Sequence, residues 1–253
     1  PVLAFPAAAK ELALSKGLAA GLIGQYGRSA VPTDLLAWQI ASRTMAEPRE
    51  GLELGRNARN EPQAWVPVEI KKAEDNKEGW IENRLLSGGS LYFVVNSEKA
   101  RTVILDASSF YTARINGEIR GGEKYGTDWV RHPVRLKKGR NEFLFQGERG
   151  RFRGRLFEPP ADIFLTDRDM TLPDLVLGEK GPLWAGVRLV NTTGERLERI
   201  EVITRAAGIE RRGVLETTVA PLMTQKLAVP LSLEAPAAEG PVPVEIRLRA
   251  RAG

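Results

Sequence analysis

The sequence predicts a mostly-β protein of two antiparallel sandwiches behind a helix-leaning N-terminal segment. Three observations carry this. From about residue 64 onward, short runs rich in Val, Ile, Leu, Phe and Tyr recur with a turn signal between each pair. No stretch between them has the length and period of a crossover helix, which argues against a parallel α/β sheet. Gly 25 and Pro 16 supply turn formers for many short elements. With 42% hydrophobic and 27% charged residues over 253 positions, the chain has the composition of about two folded domains.

Residues 1–63 are Ala-rich and lean helical. Gly17 to Gly24 (GLAAGLIG) is about one-third of the length of a membrane-spanning helix and reads as part of a short helix. Pro32-Thr33-Asp34 is a helix-start signature. Leu35, Leu36, Trp38, Ile40 and Met45 follow at loosely helical spacing, and Pro48 closes the run. Pro1 stands where a methionine would begin a complete reading frame, and the chain is expected to be a piece of a longer protein.

Residues 64–165 form the first predicted sandwich. Leu91–Val95, Thr102–Leu105, Phe110–Ile115, Pro133–Leu136, Glu142–Phe145, Arg151–Phe157 and Ile163–Leu165 are its strands. Asn116-Gly117 is a hairpin signal, because both turn positions favour φ > 0. Lys138-Gly139-Arg140-Asn141 is a second turn, in which the Asn141 side chain is expected to bond to turn backbone. Residues 166–181, with Pro173, Gly178 and Gly181, read as a linker. Residues 182–253 carry the second strand set: Trp184–Asn191, Leu197–Thr204, Thr217–Val219, Gln225–Leu231 and Val242–Leu248. That many strands in so short a span fits a small immunoglobulin-like or fibronectin-like sandwich.

Several function classes drop out. Without cysteine there is no disulfide, thiolate nucleophile, zinc finger or iron–sulfur site. The single histidine, His132, excludes a multi-His metal site, and its place before Pro133 reads as structural. There is no G-x-S-x-G elbow, no H-E-x-x-H, no phosphate-binding loop and no dinucleotide fingerprint. No catalytic residue, metal or cofactor is assigned. Asp162, Asp167, Asp169 and Asp174 lack calcium-loop spacing and read as polar contacts.

Charge is concentrated. Arg101 to Arg155 carries about 13 Lys/Arg against about 6 Asp/Glu, while the region from Thr166 onward is balanced, so the formal +5 belongs to the first sandwich. A cationic face of this kind steers anionic partners.

Three runs in this region resemble a known domain. Thr112-Ala113-Arg114-Ile115-Asn116-Gly117-Glu118 is similar to a strand ending in an NG hairpin, with Tyr125-Gly126 in the loop that follows. Pro133-Val134-Arg135-Leu136, then Lys138-Gly139-Arg140-Asn141-Glu142-Phe143-Leu144-Phe145, is similar to a P-x-x-L-x-x-G-x-N-x-L run. Together they resemble the galactose-binding-like jelly roll, as in the sugar-binding domain of family 2 glycoside hydrolases. The order jelly roll, linker, small sandwich resembles the accessory N-terminal region of large secreted bacterial hydrolases. The resemblance implies a non-catalytic module, secreted or periplasmic, that binds carbohydrate or positions a catalytic domain of the same parent protein. No membrane partner is expected, because the longest apolar run near the start is too short to span, and the Arg149–Arg155 run argues against nucleic acid in being short, set in a β pattern and without a repeated aromatic platform.

Two candidate binding sites follow. Gly122 to His132 (GEKYGTDWVRH) brings Tyr125, Trp129 and Arg131 to a hairpin mouth, with Asn116 and Lys124 as hydrogen-bonding groups. An aromatic flanked by polar groups holds a sugar by its ring face and hydroxyls. In the bland reading Trp129 caps the core and Tyr125 covers the hairpin. The second candidate is Arg149, Arg151, Arg153 and Arg155, which alternate and therefore share one strand face. They suit phosphate, sulfate, uronate or nucleic acid; their bland reading is a solvated or ion-paired strand face. A structural assembly module without a ligand is the remaining alternative.

Overall fold

The structure is a computed structural model that describes residues 1–24, 35–71, 76–123, 125–127, 129–147, 149–174, 176, 183–206, 208–231 and 240–252. In chain order the elements are β1 (Val2–Phe5), β2 (Glu11–Ala13), β3 (Lys16–Ala20), α1 (Leu35–Ala41), β4 (Glu53–Arg56), β5 (Pro62–Ala64), β6 (Val66–Glu69), β7 (Ile81–Ser87), β8 (Ser90–Ser97), β9 (Arg101–Ser108) and β10 (Phe110–Ile115). Then come β11 (Glu118–Glu123), β12 (Arg131–Leu136), β13 (Gly139–Gln146), β14 (Arg149–Phe157), β15 (Ile163–Thr171), β16 (Leu183–Asn191), β17 (Leu197–Ala206), β18 (Ile209–Val219), β19 (Met223–Leu231) and β20 (Val244–Ala252). They group into two compact units: Pro1–Arg131 with Arg135–Glu158, and His132–Val134 with Pro159–Gly253.

The first unit is a sandwich. A seven-stranded sheet runs β11-β10-β13-β8-β3-β6, with β1 added to β8; a five-stranded sheet runs β12-β9-β14-β2, with β7 added to β14 and with Arg131, Arg135 and Leu136 as the β12 residues of this unit. The facing sides meet in a phenylalanine core. Phe152 of β14 reaches Phe145 of β13 at 4.5 Å between ring centroids and Phe93 of β8 at 5.5 Å, and Phe110 of β10 meets Phe145 edge-on at 5.1 Å. Edge-to-face and tilted pairs of this kind add about 0.5–1.5 kcal/mol each beyond the area they bury.

The N-terminal segment departs from its helical expectation. Most of its first twenty residues are strand, and β1, β2 and β3 are built into the sheets: Val2 to Phe5 pair in parallel with Val94 to Ser97, and Leu12 pairs with Leu156. The run GLAAGLIG contributes to β3 rather than to a helix, because it lies between β6 and β8 with both faces covered. A continuous small-residue run suits a fully buried strand as well as a helix. A Cβ on Gly17 would meet the Phe93 ring at 2.8 Å, so only glycine admits this approach. The helix signature Pro32–Asp34 lies outside the described residues. Helix α1 ends at Ala41, before Pro48, as Arg43 turns to φ 59 and Thr44 and Met45 donate to the Gln39 carbonyl. Leu36, Leu54 and Trp65 cover Leu18, Tyr92, Val94 and Leu144, the residues on the outer face of the large sheet.

The two turns read from the sequence form one lock. Asn116 and Gly117 both have positive φ (50° and 89°), as the NG hairpin requires. Asn116 donates to Oδ1 of fully buried Asn141 at 3.0 Å and accepts from the Glu142 amide at 3.0 Å. Asn141 also accepts from the Lys137 amide at 3.0 Å and donates to the Lys137 and Gly139 carbonyls, both at 2.9 Å.

The second unit is a smaller sandwich of two three-stranded sheets, β15-β16-β19 and β18-β17-β20. Its core joins Ala185, Val187, Leu189, Leu227, Val229 and Leu231 to Leu197, Ile200, Val202 and Val219. The opening residues of the expected linker are strand, since β15 continues to Thr171. A bulge between Thr166 and Thr171 puts Asp169 at φ 52, and its carboxylate accepts from Arg188 at 2.6 and 2.9 Å and from Lys226 at 3.1 Å. The Arg188 hydrogen bond, seconded by Lys226, holds this carboxyl below its usual range against the opposing effect of burial.

Two outcomes follow. Asn141→Ala removes the lock at a buried site and is expected to lower stability by roughly 2–3 kcal/mol, read as a lower urea midpoint with the same slope. Asp169 titrates lower folded than unfolded, so its contribution is complete above the ordinary Asp range and fades as pH falls through the folded value. Asp169→Asn should therefore be less stable than the parent at pH 7, and the gap should close toward pH 2 in acid-unfolding curves.

Candidate functional site

Strand β14 places the site. Phe152, Gly154 and Leu156 turn inward, and Arg151, Arg153 and Arg155 turn to the outer face of the five-stranded sheet, as the alternation predicts; Arg149, beyond a bulge, is exposed. Two edges flank this strand: β9 along Arg153–Phe157 on one side, and on the other β7 beside its first half and β2 beside its second.

Each arginine has a defined neighbour. The Arg149 guanidinium lies over the Tyr125 ring at 5.5 Å from its centroid, and those of Arg151 and Arg153 lie over Trp80 at 4.3 and 4.9 Å. Trp80 is set by a turn in which Asn76 donates to the Lys71 and Trp80 carbonyls and accepts from the Trp80 amide at 2.8 Å. The Trp80 indole donates to Glu78 at 2.8 Å, and Glu78 also takes Arg153 at 3.2 Å. Arg155 holds Asp106 at 3.0 Å and Glu11 at 3.5 Å. A cleft of about 280 Å³ opens here, lined by Glu11, Glu78, Asp106, Arg153 and Arg155.

The loop after β11 is braced from beneath. Glu123 is buried, and its carboxylate accepts from the amides of Tyr125, Gly126 and Thr127 and, at 2.7 Å, from the Thr127 hydroxyl. This carboxylate takes donors that a loop would otherwise show to water. The loop keeps Tyr125 69% exposed and Trp129 49% exposed. A Cβ on Gly126 would stand 3.9 Å from Trp80, so the loop and the arginine face are contiguous.

The two candidate sites read separately from the sequence therefore meet at Tyr125 and Arg149. Arg131 lies on the outer face of the same sheet, 3.9 Å from Asp106 and over the Phe157 ring at 5.6 Å. Asn116 is not brought to the loop. It sits at the far end of the β10–β11 hairpin, five ladder positions and roughly 17 Å from Glu123, and its side chain is engaged with Asn141 and Glu142. Lys124 lies outside the described residues. Arg153 and Arg155 are ion-paired inside their own unit, which reduces the four-arginine face to two with open edges. Trp80, Glu78, Glu123 and Asp106 were not singled out by sequence; only the N-x-x-G turn before Trp80 marked that position, and its partner lies some seventy residues away.

Other features lie apart from this face. Two cavities of about 610 and 570 Å³ share Gly21, Leu22 and Ser87; the larger also meets Arg114 and Gln146. In the second unit Trp184 is 52% exposed on the strand side that carries Gly186 and Arg188. Among the described residues, no three of His, Cys, Asp and Glu cluster to hold a metal ion, and no helix is long and apolar enough to cross a membrane.

No family model matches the chain, and the search of characterised proteins returns no match. Among solved structures, the chain is similar to a GH2 beta-galacturonidase from Eisenbergiella tayi, with 13% identity and a TM-score of 0.38 over 96% of this chain and 41% of that one. It is also similar to Bacteroides uniformis beta-glucuronidase 2, with 10% identity and a TM-score of 0.37 over 96% of this chain and 31% of that one. A third similarity is to the exo-chitosanase of Amycolatopsis orientalis, with 11% identity and a TM-score of 0.33 over 96% of this chain and 33% of that one. The chain spans less than half the length of each.

Glu123→Ala should free the amides of Tyr125, Gly126 and Thr127. Hydrogen exchange at these three is expected to speed up about tenfold or more, a local loss of the order of one hydrogen bond's worth, while the β13 core stays protected. Equal exchange in variant and parent would show that the carboxylate does not hold the loop.

Proposed function

We propose that this chain is a non-catalytic accessory region of a larger exported bacterial hydrolase and that it brings the catalytic part of that protein to carbohydrate. The observation that carries the reading is the Tyr125–Trp129 loop. Two large aromatic side chains stay exposed, Tyr125 in the turn whose amides the buried Glu123 carboxylate accepts and Trp129 two residues beyond that turn. Both rings leave apolar surface open to a partner, and burying such surface is favourable by about 25 cal/mol per Å². Sugar rings present apolar faces edged by hydroxyls, and an exposed indole or phenol beside fixed polar groups complements both.

The interiors support the non-catalytic part of the reading. The first sandwich is filled by phenylalanine and aliphatic side chains, and the second by aliphatic ones. The polar side chains buried beside them, such as Asn141 and Glu123, are spent on turn and loop backbone. Export, to the periplasm or beyond the cell, belongs to the same proposal, because polymeric glycans are met there.

The test is affinity electrophoresis of the chain against a panel of neutral and acidic polysaccharides. The parent is expected to be retarded by at least one. Trp129→Ala, at an exposed position, should keep the melting temperature and weaken that binding roughly tenfold to thirtyfold. A folded Trp129→Ala protein with unchanged retardation would remove the loop from recognition, and a parent retarded by none would leave the chain a structural brace.

A further inference from the structure

Arg149 and Arg151 differ from the other two arginines of β14. Arg153 and Arg155 direct their N–H groups to Glu78, Asp106 and Glu11. Arg149 and Arg151 are exposed and form no ion pair within 4.0 Å among the described residues, although Glu82 is directly across the ladder from Arg151. Each instead lays its guanidinium over an aromatic ring, Tyr125 and Trp80 respectively. A guanidinium drawn to an aromatic ring spends no N–H on a carboxylate and keeps donors for bidentate bonds to an oxyanion. The ring also restricts the rotamers, so less freedom is lost when an anion arrives. A bulge between the two, with Gly150 at φ 79, breaks the ladder and re-aims the strand at this point.

We propose that Arg149 and Arg151, braced by Tyr125 and Trp80, form a two-armed receptor for the carboxylate or sulfate groups of an acidic saccharide. This rests on the carbohydrate reading of the neighbouring loop and names its ligand class. Trp129, on the same loop as Tyr125, offers the face for a sugar ring, and the arginines take the acid groups. Single-stranded nucleic acid fits less well. It stacks successive bases on open aromatic faces, whereas Tyr125 and Trp80 already carry guanidinium groups. The positive excess of the Arg101–Arg155 region favours an anionic partner over a neutral one.

Titration calorimetry of the whole chain at about 150 mM salt tests this, where long-range charge effects are screened. The probes are an oligogalacturonide, a heparin oligosaccharide, a neutral galacto-oligosaccharide and a single-stranded DNA oligomer. The parent is expected to bind one acidic saccharide more tightly than the neutral one. Arg149→Gln with Arg151→Gln should weaken acidic binding about tenfold or more and weaken neutral binding less. Arg151→Lys should fail to restore it, because an ammonium has charge without the planar fork. Acidic binding unchanged in the double variant, full binding by Arg151→Lys, or DNA bound as tightly as the acidic saccharide would overturn the inference. Neutral binding that depends on Trp129 with no preference for the acid would overturn it and leave the proposed function standing; no saccharide binding at all would overturn both.

Discussion

The seating of Phe152 decides where everything else on β14 goes. Its ring is fully buried against Phe93, Phe110 and Phe145. Because side chains alternate along a strand, that seat also sends Gly154 and Leu156 inward and Arg151, Arg153 and Arg155 outward. A slip of one residue would exchange these sets and put guanidinium groups into the phenylalanine core, at a cost of several kcal/mol for each unpaired charge. The interior has little slack to absorb such a change: a Cβ on Gly154 would stand 2.7 Å from the Phe152 ring. The register of one strand thus ties the hydrophobic core to the charged face, and the face to its aromatic neighbours Trp80 and Tyr125.

What was legible in the sequence depended on how local the physics was. Strands β8 to β10 and β12 to β14 follow from β-rich runs and from turn residues that need particular backbone angles, such as Asn116-Gly117 and Gly139. The early strands were hidden because their pairing partners are remote: Leu3 faces Val95 and Leu18 faces Tyr92. A short run such as GLAAGLIG carries no period that separates a buried strand from a helix, and only the contact of Gly17 with Phe93 explains its composition. Asp167 to Thr171 read as linker because the run is polar; its strand is held by pairing with β16 and by Arg188 and Lys226 on Asp169, which no nearby residue announces.

The candidate site was legible in its parts and not in its assembly. Exposed aromatics on a Gly-containing loop and arginines at period two are both local patterns. That they adjoin depends on the Tyr125–Arg149 and Gly126–Trp80 approaches, which are tertiary. Asn116 was drawn into the binding set because it flanks the same hairpin, yet its side chain serves the turn lock with Asn141. The ion pairs of Arg153 and Arg155 show the opposite case, in which a uniform run of like charges becomes two unlike halves once carboxylates from β2, β9 and the Glu78 turn are placed beside it.

The five tryptophans, Trp38, Trp65, Trp80, Trp129 and Trp184, give the most direct view of where recognition takes place. Their indole N–H signals, assigned by single substitutions in a two-dimensional nitrogen–proton spectrum, can be followed while an acidic oligosaccharide is added. The account predicts movement of the Trp80 and Trp129 signals, with Trp65 in the core and Trp184 in the second unit unmoved. Movement of Trp184 or Trp38 while Trp80 and Trp129 stay fixed would contradict it.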